Sequence, residues 1–528
     1  MTAAKASIRK VLPLLGAAGL VGCMVGPDYT TPTAPLADQW IDGASPSATS
    51  ADAIDPRWWL EFNDPTLTAL IEEAAAQNLS LLAAGLRVLQ ARAIRGIAVG
   101  EFFPQTQQAF GGIETSAFSE NGPLSQGDRF YADDEIGLQA AWELDFWGKF
   151  RRSIESADAG LLATVADYDA TLVSLIADVA DSYVQVRSFD ERLRLARDNV
   201  NLQRNTLELT EVRQRAGAVS DLDVATARAL LSSTEALIPD FENGRRRSLV
   251  SLAVLLGRPP SELSDLLQLG EPVPTPPANI SVGVPADLLR RRPDVRAAER
   301  VAAAASAQIG VAVADLYPAI SIAGATGFAS SDVNAGGQSA DLGDLFQPES
   351  FQGFIGLRVN WPILNYGRIE NNIRARDAEY QRAIVQYQDT VLRAAADVET
   401  SLSSFLRNRE RSSFLADAVE AQQRAVEISL IQYRNGAIDF IRVNQAQTDL
   451  VRQQDESVVA RARTATGAIA TYRALGGGWQ IREGKEFVPA ETIQEMRDRT
   501  NWGDLLAPDY SDGSDLGFER PKVPTSTP

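Results

Sequence analysis

Histidine is absent from this 528-residue chain, which removes the most common general base and metal ligand at once. Ser-His-Asp and Cys-His catalysis and His-ligated zinc are therefore excluded. Cysteine occurs once, at Cys23, so neither an internal disulfide nor a thiolate cluster is available. Positive charge is outnumbered: 50 Lys and Arg against 69 Asp and Glu leave a formal net charge of -19. That balance argues against a nucleic-acid surface, because phosphate binding needs clustered cations. Beyond the N-terminus no apolar run of about 18 residues is expected, so helical membrane spans are not anticipated. Proline is missing between Pro123 and Pro239 and again between Pro362 and Pro489, and both stretches can hold long uninterrupted helix. No activated nucleophile, phosphate loop or metal cluster is legible. The chain reads as a protein that is not an enzyme and carries no cofactor or metal.

What is present begins with a leader. Lys5, Arg9 and Lys10 precede the apolar "VLPLLGAAGLVG" (11–22), and Cys23 follows at once. About 12 apolar residues are too few to span a bilayer as a mature helix, so residues 1–22 read as a signal peptide. "LVGC" (20–23) resembles the bacterial lipobox, which would make Cys23 the lipidated first residue, and Met24 in second position implies sorting to the outer membrane. Residues 23–60 then form the anchor and an N-terminal linker, including "DGASPSATSADAIDP" (42–56).

The rest of the chain is written twice. "GAVSDLDVA" (217–225) corresponds to "GAIDFIRVN" (436–444), "WELDFWGKF" (142–150) to "WPILNYGRI" (361–369), and Leu256-Gly257 to Leu475-Gly476, all offset by 219 residues. This divides the protein into a first repeat, 61–270, a Pro-rich connector, 271–287, and a second repeat, 288–478, followed by an acidic tail, 479–528. Within the first repeat Val165, Leu172, Val179, Val186, Leu193, Val200 and Leu207 recur at seven-residue intervals, and the offset maps them onto Ile384, Val391, Val398, Phe405, Ser412, Val419 and Val426. Such a seam predicts long supercoiled helices over 148–216 and 368–435, each on the order of 100 Å. Return helices are expected over 221–256 and 440–475.

Heptads alone are compatible with a fibrous coiled coil, but each seam is preceded by alternating segments. In "EIGLQAAWELDFW" (135–147), Ile136, Leu138, Ala140, Trp142, Leu144 and Phe146 share one face; "IGLRVNWPIL" (355–364) alternates likewise. With strands near 105–116 and 319–330, these predict one hairpin per repeat, at 105–147 and 319–364. Trp142, Trp147, Trp361 and Tyr366 gather at the same strand ends, where a membrane barrel carries an aromatic girdle. Four strands cannot close a membrane barrel, whose minimum is about eight, so three chains supplying twelve strands are expected.

These features together resemble the TolC superfamily of outer-membrane efflux ducts, most closely its OprM/NodT lipoprotein branch. The similarity extends from "VGPDYTTP" (25–32) through "FNDPTLTALIEEAAAQNLSL" (62–81) and "LLRRRPDVRAAE" (288–299) to "ALGGGW" (474–479). The resemblance implies an α+β membrane fold: a homotrimer forming a 12-strand outer-membrane β-barrel continuous with a long periplasmic α-helical barrel. It also implies a passive conduit for small molecules, with a periplasmic membrane-fusion adaptor and an inner-membrane pump of the resistance-nodulation-division type as partners.

Gly217 and Gly436 each end a long helix where a left-handed turn favours glycine. The resemblance makes Gly217, Ala218, Val219 and Ser220, with Gly436, Ala437, Ile438 and Asp439, the adaptor-docking tips. Relatives commonly carry an aspartate in a Leu-Asp-Ala type sequence after the second tip. Here "VNQA" (443–446) puts Gln445 there, with Ile441 one turn before it, which implies a neutral or apolar constriction. Arg442, Asp221 and Asp223 are candidates for pairs that lock this gate. Two other functions share parts of the pattern: a channel for type I protein secretion, and a lipid-anchored coiled-coil spacer without a pore.

Overall fold

The computed structural model describes residues 24–37, 39–42, 48–49, 55–117, 119, 121, 130–260, 272–281, 290–331 and 342–507. Cys23 lies outside the described residues. In chain order the elements are β1 (Ala48–Thr49), α1 (Pro65–Gln77), α2 (Leu79–Gly100), β2 (Thr106–Ala117), β3 (Phe130–Glu143), α3 (Lys149–Arg215), α4 (Asp221–Glu235) and α5 (Leu237–Leu255). The second half supplies β4 (Ile280–Ser281), α6 (Pro293–Ala314), β5 (Ala319–Ser331), β6 (Phe351–Asn360), α7 (Arg368–Arg434), α8 (Phe440–Ala474) and α9 (Ala490–Arg499).

Both long Pro-free stretches are single helices of 67 residues, about 100 Å each at 1.5 Å per residue. The duplication extends to the backbone. Gly148, Gly217 and Gly257 adopt positive φ, and so do Gly367, Gly436 and Gly476, each pair at the same offset. The first return helix departs from the expected continuous 221–256. It stops at Glu235 and restarts at Leu237, because the ring of Pro239 collides with the carbonyl four residues earlier. The second return helix has no such proline and runs unbroken through 35 residues.

In the wall made by these helices, α6 and α8 lie between the two long ones, α6 along their upper and α8 along their lower halves. They meet end to end at mid-height, where Arg292, buried at 8 % exposure, spans the junction. Its guanidinium donates to the carbonyls of Ala394 and Ala474 and pairs with Asp294 at 2.7 Å and Asp397 at 3.5 Å. Placed before a helix N-terminus this cation is disfavoured, but it points at the C-terminal end of α8, where a helix attracts positive charge. Pro293 opens α6, with Asp294 in its first turn.

The main apolar core lies at the same height. Leu172, Val179 and Val186 of α3 and Val391, Val398 and Phe405 of α7 are all at or below 2 % exposure, packed with Val458 and Ile469 of α8, Leu67 and Ile71 of α1, and Trp58 and Trp59. Trp58 stacks on Tyr472 at 4.9 Å. Most of the seven-residue seam is therefore buried; Val165, Leu207, Ile384, Ser412 and Val419, away from the junction, are half-buried. One window of α3 is long and apolar enough to cross a membrane, contrary to the expectation from the sequence, but 56 % of it is buried in this packing. Part of the expected tail is folded: α9 and the turn at Gly503–Leu506 bury Met496 and Leu506 against Leu89 of α2. Replacing Phe405 by Ala should cost about 3–5 kcal/mol, measured by guanidinium unfolding of the purified protein followed by far-ultraviolet circular dichroism.

Candidate functional site

Four strands form one antiparallel sheet in the order β2-β3-β5-β6. The register pairs Ile136 with Phe328, Trp142 with Ile322, and Ile322 with Leu357, so Ile136, Leu138, Trp142, Ile322, Phe328, Ile355, Leu357 and Val359 share one face. Gln108, Gln139, Glu143, Ser321, Arg358 and Asn360 share the other. The apolar face is uncovered: Leu138 is 60 % and Ile355 83 % exposed. In water that arrangement is unfavourable, and it is the one expected of a sheet with lipid on one side and a polar lumen on the other. The strands β2 and β6 have no further partner among the described residues.

The four girdle residues occupy the base of this sheet. The indoles of Trp142, Trp147 and Trp361 donate to the carbonyls of Phe102, Pro318 and Leu316 at 3.1, 2.9 and 3.0 Å. Trp147 stacks on Tyr317 at 4.6 Å, and Tyr366 stands 96 % exposed before α7. An aromatic cluster at the opposite end went unread in the sequence: Phe328 lies 6.0 Å from Phe346 and 5.8 Å from Phe351. Its signal was the alternation of β6, which begins at Phe351 rather than Ile355. The ten residues of β6, at about 3.4 Å each and tilted about 40°, rise about 26 Å, the height of a barrel's apolar band.

The far ends of the long helices carry the two tips. Ala218 N–H donates to Arg213 O at 2.8 Å and Gly217 N–H to Gln214 O at 2.9 Å; Ala437 and Gly436 repeat the pattern with Gln432 and Tyr433. Both are Schellman turns, which put glycine in the left-handed region, at φ 76° and 72°. The helices leaving the two turns are capped differently. Ser220 and Asp223 form a reciprocal capping box, whereas Asp439 caps α8 without a side-chain bond. The two tips are joined within the chain. Tyr433, 1 % exposed, packs with Phe440, Val443 and Ala227, while the Arg213 guanidinium donates to Tyr433 O and lies 4.5 Å from its ring.

The gate candidates separate into two groups. Asp221 accepts from Gln214 at 2.7 Å and Asp223 from Ser220 at the cap, and neither carboxylate pairs with Arg442 among the described residues. Ile441, Arg442 and Gln445 form an exposed strip on the first turns of α8, Ile441 at 58 % exposure. The Arg442 guanidinium makes no ion pair among the described residues. Gln445 donates to Asp449, whose carboxyl is held below its ordinary range by hydrogen bonds from Arg452 and then Gln445.

The pattern describing outer membrane efflux proteins matches residues 70–258 and 284–477. The chain belongs to the outer membrane efflux protein family. The match is itself in two stretches, the second beginning at residue 284 within the Pro-rich connector. Nodulation protein T of Rhizobium leguminosarum bv. viciae is 33 % identical over 89 % of this chain and 92 % of its own. The pyoverdine export outer membrane protein OpmQ of Pseudomonas aeruginosa is 31 % identical over 88 % and 95 %. Among solved structures, the outer-membrane channel OprN superposes with a TM-score of 0.80 at 33 % identity, covering 87 % of this chain and all of its own. The open-state MtrE channel of Neisseria gonorrhoeae superposes at 0.74 with 27 % identity, over 87 % and 99 %. The protein is thus an outer-membrane efflux protein whose relatives are channels, not enzymes. Valine at Gly217 or Gly436 meets no clash, since a Cβ there finds open space or only Arg213 at 3.7 Å; its cost is the left-handed backbone, about 1–3 kcal/mol. Gly436→Val should therefore lower export while oligomer levels persist, measured as drug susceptibility alongside immunoblots of unheated membranes.

Proposed function

We propose that this protein is the exit duct of a tripartite efflux system, conducting small molecules passively from the periplasm and pump to the exterior. The carrying observation is the uncovered two-faced sheet with both edges open, leading directly into two 67-residue helices. Three copies closing edge to edge give a 12-strand barrel, and their helices a tube long enough to reach deep into the periplasm. A membrane-fusion adaptor docks on the tips at Gly217–Ser220 and Gly436–Asp439, and an inner-membrane pump of the resistance-nodulation-division type supplies the energy. Cys23 carries the lipid. The export of pyoverdine named for OpmQ and of toluene named for TtgC of Pseudomonas putida favours small cargo over the polypeptides of type I secretion. Because Asp221 and Asp223 are engaged within the first tip, the constriction is formed by Ile441, Arg442 and Gln445, with Arg442 the charge free to line it.

Planar-bilayer recording of the purified oligomer tests the duct: discrete conductance is expected, and none under any voltage, with soluble behaviour after lipid removal, would sink it in favour of the spacer. Deleting the gene should sensitise cells to small toxic molecules. A protein-secretion defect with unchanged drug susceptibility would instead favour the type I channel. Cys23→Ser should abolish metabolic palmitate labelling, and labelling equal to wild type refutes the lipid assignment.

A further inference from the structure

The N-terminal segment is held in a socket at the base of the sheet. Val25 N–H donates to the carbonyl of Trp147 at 3.1 Å. Arg152, in the first turn of α3 and 2 % exposed, reaches back to the same segment. Its Nε donates to Val25 O at 3.2 Å and its Nη2 to Gly26 O at 3.4 Å, and it pairs with Asp28 at 2.8 Å and Glu155 at 2.7 Å. Burying a guanidinium is costly unless its donors are satisfied, and here most of them are satisfied by this segment. A side chain at Gly26 would stand 2.5 Å from the Cα of Gly310 in α6, so the backbone is pressed onto the wall. From there the strap crosses the helices in turn. Tyr29 and Thr31 donate to Glu299 of α6, Gln388 of α7 donates to Thr33 O at 3.0 Å, and Ile41 N–H donates to Glu399 of α7 at 2.9 Å.

We infer that Arg152 is a positioning residue: it fixes the N-terminal strap, from Met24 onward, against the wall at the level of the lower aromatic girdle. Met24 sits against Gly148, the residue after Trp147. The consequence for the lipid rests on the reading of Cys23 as the lipidated residue: the strap then gives the acyl anchor a fixed attachment point in place of a loose tether. The strap is held by protein contacts and does not need the lipid.

Hydrogen-exchange mass spectrometry on the purified full-length oligomer tests this with wild type, Arg152→Gln, Arg152→Lys, Asp28→Asn and Cys23→Ser. Exchange in residues 24–31 should rise at least tenfold in Arg152→Gln and several-fold in Asp28→Asn, be partly rescued in Arg152→Lys, and stay unchanged in Cys23→Ser. Peptides from α6 and α7 should not change. Wild-type protection of 24–31 in Arg152→Gln overturns the inference, and so does equal loss of protection in Cys23→Ser, which would make the lipid the holder. Should Arg152→Gln loosen the helices as well, Asp28→Asn decides, since the Asp28 side chain is 91 % exposed: a rise confined to 24–31 supports the role and no rise refutes it. Absence of palmitate labelling in wild type would remove the lipid reading alone, leaving the exchange result to judge the strap.

Discussion

A helix of 67 residues has no core of its own. Its apolar stripe must be covered along the whole length by other segments, because helical stability in water comes mostly from packing. The rest of this structure depends on that requirement. The first long helix is covered by α2 and α6 above and by α4, α5 and α8 below, and it is buried at most heights. Among the described helices the second is covered chiefly by α6 and α8, with the N-terminal segment crossing it at Gln388 and Glu399, which leaves Val385, Leu392 and Phe414 between 49 % and 66 % exposed. The chain therefore presents an uncovered apolar face on α7, in line with the open edges of its sheet among the described residues.

Polar pairs ladder the wall from helix to helix. They tie α3 to its own return helices through Arg245 with Asp190, Arg197 with Glu242 at 3.0 Å, Arg204 with Glu235 at 3.1 Å and Arg228 with Glu211 at 3.0 Å. They also tie α3 across to α8 through Arg461 with Glu191 at 2.6 Å, Arg192 with Asp455 at 2.7 Å, Asn199 with Gln454 at 2.7 Å and Gln447 with Thr206 at 2.9 Å. Directional bonds tolerate register shifts less well than apolar contact does, and buried polar groups are attested as devices that set helix register. Here they hold the two tips side by side. The surroundings of Arg192 reinforce this, since it also lies 4.1 Å from the ring of Phe241 on the broken return helix.

Much of this was legible because the signals were periodic or repeated. The long helices were bounded by Gly148, Gly217, Gly367 and Gly436, which recur at one offset, and the seam residues Leu172, Val179, Val391 and Val398 are buried as their spacing indicated. Signals that depend on a single side chain were harder to read. Pro239 splits a return helix, which a pattern averaged over many residues does not register. The alternation of 144–147 continues past the end of β3, yet the backbone turns there because Asp145 accepts from the N–H groups of Phe150 and Arg151 to start α3. The candidate gate pairs were placed by proximity in sequence, and Asp223 proved to be occupied by its own helix start.

By itself the sequence determined the duplicated plan, the two-faced strands, the long helices and the turns that end them. Each of these depends on local periodicity or on a residue's own backbone preference, and neither needs a distant partner. Tertiary structure alone decided where Arg292 and Arg152 direct their charge, and that the N-terminal segment returns to the base of the sheet. Those outcomes depend on which groups, separated by a hundred or more residues, arrive within hydrogen-bonding distance once the helices are packed. The order of residues along a chain does not fix such encounters; the geometry of the packed wall does.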